Sequence, residues 1–72
     1  MKFTAVFQKV RQGYIGFVEE LPGANTQART LKEARANLAE AVELVLDANR
    51  ALSAEAIGTK KVIREPLVLA AE

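Results

Sequence analysis

The run "GYIGFVEELPGANTQARTLKEA", residues 13–34, decides the fold, because it contains a strand, a breaker, a second extended piece and a helix start. "YIGFVEE" has the β-branched and aromatic residues of a strand, with Ile15 and Phe17 on one face and Tyr14, Gly16 and Val18 on the other. Pro22-Gly23 ends it, since proline cannot donate to a ladder and glycine tolerates the turn. "NTQAR", 25–29, is then a short third strand at an edge. "TLKE", 30–33, matches a capping box, with the Thr30 hydroxyl accepting from the Glu33 amide and the Glu33 carboxylate reaching back to the Thr30 amide.

Upstream, "KFTAVFQKV" (2–10) alternates with period two and reads as the first strand, with Phe3, Ala5 and Phe7 on one side. "RQG" (11–13) is the polar connection that makes the two runs a hairpin, placing Phe3, Phe7, Ile15 and Phe17 on one face and Val6, Tyr14 and Val18 on the other. Downstream, a helix runs from Leu31 to about Arg50. Leu31, Ala34, Leu38, Ala41, Val42, Val45, Asn49 and Leu52 form one side, and Glu33, Asn37, Glu40, Glu43 and Asp47 the other, with Leu44 among the acids. "SAEAIG" (53–58) reads as one extra turn closed by Gly58. "KKVIREPLVLA" (60–70) is apolar and β-branched enough for a final strand, which Pro66 restricts to an edge or a bulge. The expected architecture is a single α+β domain over residues 1–72. Its order is β-β-β-α-β, a small sheet with one long helix on one face and the last strand parallel to the first.

Seventy-two residues bury only about 60% of the surface that the unfolded chain exposes, so such a domain needs further support. With no Cys and no His, disulfides and ordinary zinc sites are excluded, and self-association is the remaining route. One helix covers one face of a sheet, which leaves apolar residues for a second copy. Val62, Ile63, Leu67 and Leu69 are the candidate oligomer contacts, in a dimer or a tetramer. Ten basic against nine acidic residues give a net charge of +1, which points neither towards nor away from nucleic acid. No run approaches the ~20 apolar residues of a membrane span, and "FTAVF" is too short for a secretory signal, so no membrane partner and a cytoplasmic location are expected.

Catalysis finds few candidates. A lone Ser53 without histidine or cysteine offers no activated nucleophile. Glu19, Glu20 and Glu33 are the carboxylates that a metal-dependent nuclease would draw on, but Glu33 is claimed by the cap and the other acids are spread along the helix. Gly13, Gly16 and Gly23 lie in a hairpin and a turn, without the helix start that a phosphate loop requires. Lys60, Lys61 and Arg64 read as charged guards of an edge strand. The expectation is no enzyme, no cofactor and no metal. The surface singled out for a partner is Glu40, Glu43, Leu44 and Asp47, with the acids steering a basic protein and Leu44 anchoring it.

The ordered set Gly13-Tyr14, Glu20-Leu21-Pro22-Gly23, Thr26-Gln27, Thr30-Leu31-Lys32-Glu33-Ala34 and Glu40-Ala41 resembles the N-terminal domain of HicB-like antitoxins, over about residues 3–46. The resemblance implies a partial ribonuclease-H-like β-β-β-α-β fold without that enzyme's active site. It also implies a binding role, in which the domain holds a small, basic, HicA-type messenger-RNA-cleaving toxin inactive and forms dimers or larger assemblies. This chain has Ala24 where a cysteine is often found, and "TQAR" in place of a Thr-Gln-Gly-acid run. Residues 51–72 are enough for one strand but not for the DNA-binding domain that longer relatives append, so DNA binding is not expected. The alternatives are an orphan homo-oligomeric module without a toxin and a metal-dependent nuclease.

Overall fold

The computed structural model describes residues 2–69. Three strands, β1 (Ala5–Val10), β2 (Gly13–Val18) and β3 (Asn25–Ala28), form an antiparallel sheet in the order β1-β2-β3, and a single helix α1 (Leu31–Ile57) crosses one face. The α+β class and the first four elements of the expected β-β-β-α-β order are observed.

The β1–β2 connection is two residues long, Arg11 and Gln12, because Gly13 already pairs with Val10. Gly13 has φ 142, and a Cβ there would stand 2.1 Å from the Ala28 carbonyl oxygen, so glycine alone fits. This register places Ala5 opposite Val18, Phe7 opposite Gly16 and Lys9 opposite Tyr14 on the helix side. Val6 opposite Phe17 and Gln8 opposite Ile15 point away from the helix. The expected grouping of Ile15 and Phe17 with Phe3 and Phe7 is therefore corrected: Val18 joins the core, and Ile15 and Phe17 are 38% and 45% exposed. A three-residue connection would have paired Phe7 with Phe17. Shortening it by one residue sends every β2 side chain to the opposite face.

Beyond β2 the sheet ends in hydrogen bonds from the Glu19 amide to Thr4 O (3.0 Å) and from the Val18 amide to Ala24 O (3.1 Å). The turn between them closes with the Ala24 amide donating to Leu21 O (3.2 Å), and Gly23 takes φ 92. Ala24, Ala34, Val18 and Leu38 are buried, and Phe3, Phe7, Leu21, Val42 and Val45 pack around this nucleus.

Thr30 caps α1 with extended backbone, and its Oγ1 accepts from the Glu33 amide at 3.1 Å. Only this half of the capping box is made among the described residues. The helix does not pause at Arg50. From Ala51 to Ile57 the chain has no glycine or proline, so helical propagation continues until Gly58, whose φ of 58 and amide bond to Ala54 O (2.9 Å) form the C-cap. Twenty-seven residues make a rod of about 40 Å, whereas six-residue strands span about 20 Å. Asn49 and Leu52, expected on the core side, are exposed because the sheet has ended beneath them.

Residues 60–69 form no strand in the described chain, and Ala70, the last residue of the expected strand, lies outside the described residues. A strand is defined by its ladder partner, and here the segment stands clear of its own sheet.

Gly16 is buried at the centre of β2, where a Cβ would meet the Phe7 ring at 2.9 and 3.0 Å. Gly16→Ala should therefore cost about 1–3 kcal/mol through overpacking, read as a lower urea midpoint with an unchanged m-value. An unchanged midpoint would mean that Phe7 gives way freely.

Candidate functional site

The outward side of α1 carries the candidate partner surface. Glu40 and Leu44 are one turn apart, as are Glu43 and Asp47, so the four residues form one contiguous patch on adjacent turns. All four are exposed, Leu44 by 63%, with the three carboxylates together on one side of it. Asp47 Oδ1 accepts from Arg50 Nη1 at 3.0 Å, an exposed i,i+3 pair of the kind that contributes little to stability. Among the described residues no ion pair engages Glu40 or Glu43, which leaves two uncompensated charges beside Leu44.

Glu20 is occupied elsewhere. Its Oε1 accepts from the Thr4 amide at 2.7 Å and its Oε2 from the Thr4 hydroxyl at 2.6 Å. Both carboxylate oxygens thus fasten the chain entering β1 to the end of β2. The Thr4 hydroxyl, then the Thr4 amide, hold this carboxyl below its ordinary value of 4.5 by favouring the charged form. Glu33 stands at the first turn of α1, where its amide completes the Thr30 cap. The structure does not gather Glu19, Glu20 and Glu33 with one another into a metal-holding group, and none of three or more such residues forms among the described residues.

The candidate oligomer residues lie on the segment after Gly58. Val62 is 42% exposed and Ile63, Leu67 and Leu69 more so, and Val68 adds a further bare side chain. Arg64 lines a shallow recess against the overhanging helix with Leu46, Asn49, Arg50, Ser53, Ala54 and Ile57. The open side of the sheet was expected to carry Val6, Tyr14 and Val18, but sequence reasoning missed that Ile15 and Phe17 are the residues that flank half-buried Val6 there. Its signal was Gly13, which can serve either as a third loop residue or as the first residue of β2. No described helix is long and apolar enough to cross a membrane.

Relatives from several organisms bear the name UPF0150 protein. The chain is similar to one from Thermotoga maritima, 40% identical over 47 residues, which covers 62% of this chain and 63% of the relative. One from Archaeoglobus fulgidus is 41% identical over 51 residues, 69% of this chain and 74% of the relative. One from Helicobacter pylori is 33% identical over 70 residues, 97% of each. No family model matches the chain, and no solved structure matches it significantly.

The Glu20 clamp sets a pH dependence. Its folded pKa is depressed, so its contribution is fully present above the unfolded glutamate value and is lost as the pH falls through the lower folded one. Glu20→Gln should lower the urea midpoint near neutrality, and the gap to the parent chain should close on acidification. A gap independent of pH would show that the hydrogen bonds to Thr4 do not depend on the charge.

Proposed function

The chain belongs to the UPF0150 family, and from that premise we propose that it is a non-catalytic, antitoxin-like binding domain. In this reading it neutralises a HicA-type messenger-RNA-cleaving toxin by covering the toxin's working surface. The observation that carries the reading is Leu44, bare on the exposed side of α1 at the margin of the acidic patch of Glu40, Glu43 and Asp47. An apolar anchor bordered by one sign of charge suits a partner of the opposite sign. The acids raise the encounter rate, and the desolvated leucine supplies the contact that slows dissociation. A rigid helix presents the patch without an ordering cost on binding.

The ordered motifs support this reading through the joints they occupy. Glu20 to Gly23 form the turn that closes the sheet, Thr30 and Glu33 start the helix, and Glu40 stands on the proposed contact surface. Self-association in the cytoplasm, as a dimer or a tetramer, completes the proposal, supported by the bare apolar residues after Gly58. The same residues favour a second reading, an assembly module without a toxin.

Co-expression with the neighbouring reading frames, followed by sizing with mass detection, separates the two. A complex with a small basic protein supports the antitoxin reading, and a pure homo-oligomer supports the second. With the partner in hand, Leu44→Asp should weaken binding at least about tenfold, ~1.4 kcal/mol, while circular dichroism stays unchanged. Equal affinity in a folded variant would remove the helix face from the interface.

A further inference from the structure

We infer that residues 61–69 of one copy add as a fourth strand to the free edge of β1 in a second copy. The chain has a strand-like segment without an edge and a strand edge without a neighbour. This rests on the self-association proposed above and adds which segment meets which edge.

The edge is defined by the β1–β2 ladder. The Glu19 amide donates to Thr4 O, and in an antiparallel pair such residues alternate, so Thr4, Val6 and Gln8 turn their peptide groups towards β2. Ala5, Phe7 and Lys9 therefore turn theirs outward, where the described chain places no strand. The helix lies over β3 and β2 and meets β1 only at its margin, so the layer above this edge is open as well.

The segment fits that edge. Pro66 has no amide to give, so in an added strand it must face away. That orientation turns the peptide groups of Lys61, Ile63, Glu65, Leu67 and Leu69 towards β1. Leu67, Val68 and Leu69 are consecutive apolar residues, all at least 64% exposed, the pattern of a strand covered on both faces rather than one. Whichever way the strand runs, one apolar row joins Phe3 and Phe7 and the other lengthens the Val6, Ile15 and Phe17 face.

A second copy is the better source because of the helix. Val45 lies beside Gly23 at the end of the sheet, 3.9 Å from where a Cβ would stand, and α1 continues to Ile57. Those twelve residues carry the chain about 18 Å past its own sheet. Returning would consume about half of residues 59–69 before any pairing began. By Arg64 the described chain has turned back along the overhanging helix, yet it forms no strand on its own sheet, and its radius of gyration is 15.7 Å, against about 11 Å for a compact domain of this length. Exchange of an identical segment between two copies is self-complementary and closes as a dimer.

The test uses full-length protein, unlabelled mixed with isotope-labelled, and reads contacts between copies by filtered NMR alongside solution mass. The expected result is a dimer or a multiple of it, with contacts between Leu67 or Leu69 of one copy and Ala5 or Phe7 of the other. The amides of Ala5, Phe7 and Lys9 should exchange at least about tenfold more slowly than in Leu67→Asp, which should be monomeric with its helix intact. Leu67 has no core contact to lose, and Val68→Asp serves as a second variant. A monomer would overturn the inference, as would contacts confined within one copy. An oligomer that persists in both variants with unprotected edge amides would overturn it while leaving self-association standing. None of these outcomes bears on whether a toxin co-purifies.

Discussion

The fold depends on the pairing of Val10 with Gly13 across a two-residue turn. Side chains along a strand alternate, so this pairing decides which half of β2 meets the helix. It sends Gly16 and Val18 inward. Gly16 leaves room for the Phe7 ring, and Val18 packs with Leu38 and Ala24 at the centre of the core. The same choice turns Ile15 and Phe17 outward. Gly13 holds the register, since any larger residue would collide with Ala28 where β3 passes. The core and the open sheet face are two consequences of one local constraint.

Much of this was legible in the sequence because it is local. Alternation announced β1 and β2, Pro22-Gly23 announced the break, and Thr30 with Glu33 announced the helix start. The inner stripe of α1 was legible as far as Val45, because that part packs on the sheet and its 3.6-residue period is enforced by burial. What was not legible depends on counting or on partners. Whether Gly13 belongs to the loop or to the strand changes no composition yet inverts a face. Asn49 and Leu52 keep the helical period but have no sheet below them. The last segment has strand composition, but composition does not say where a partner edge lies. Of the candidate sites, exposure was readable for Glu40, Glu43, Leu44 and Asp47. The tie between Glu20 and Thr4 was not, because it joins residues sixteen apart through side-chain oxygens.

The overhang of α1 follows from a mismatch between two kinds of element. The sheet stops when the backbone meets Pro22-Gly23 and the Thr30 cap, whereas the helix stops only at the next glycine, Gly58. Twelve residues of helix thus continue without a core, held by their own ladder and by contacts such as that between Asp47 and Arg50. An isolated helix of this length is marginal in water, so the overhang gains when something packs along it. Leu46, Ile57 and Leu52 offer apolar surface for that contact.

The open surfaces are separated by the geometry of one helix. The carboxylates beside Leu44 lie on its outer side, opposite the stripe that covers β2 and β3. The bare segment after Gly58 leaves from its far end, and the free β1 edge lies beyond its margin. A partner docked on Glu40, Glu43 and Leu44 would therefore not compete with a strand added at Ala5, Phe7 and Lys9. Charge separates them too. The helix patch is acidic, whereas the segment after Gly58 brings Lys60, Lys61 and Arg64, and β1 itself carries Lys9. Basic residues along an edge discourage indiscriminate strand addition, so a fourth strand must provide enough apolar contact to offset them. Leu67, Val68 and Leu69 carry no charge and lie on the other side of Pro66 from the basic cluster, the arrangement that selective pairing at an otherwise protected edge requires.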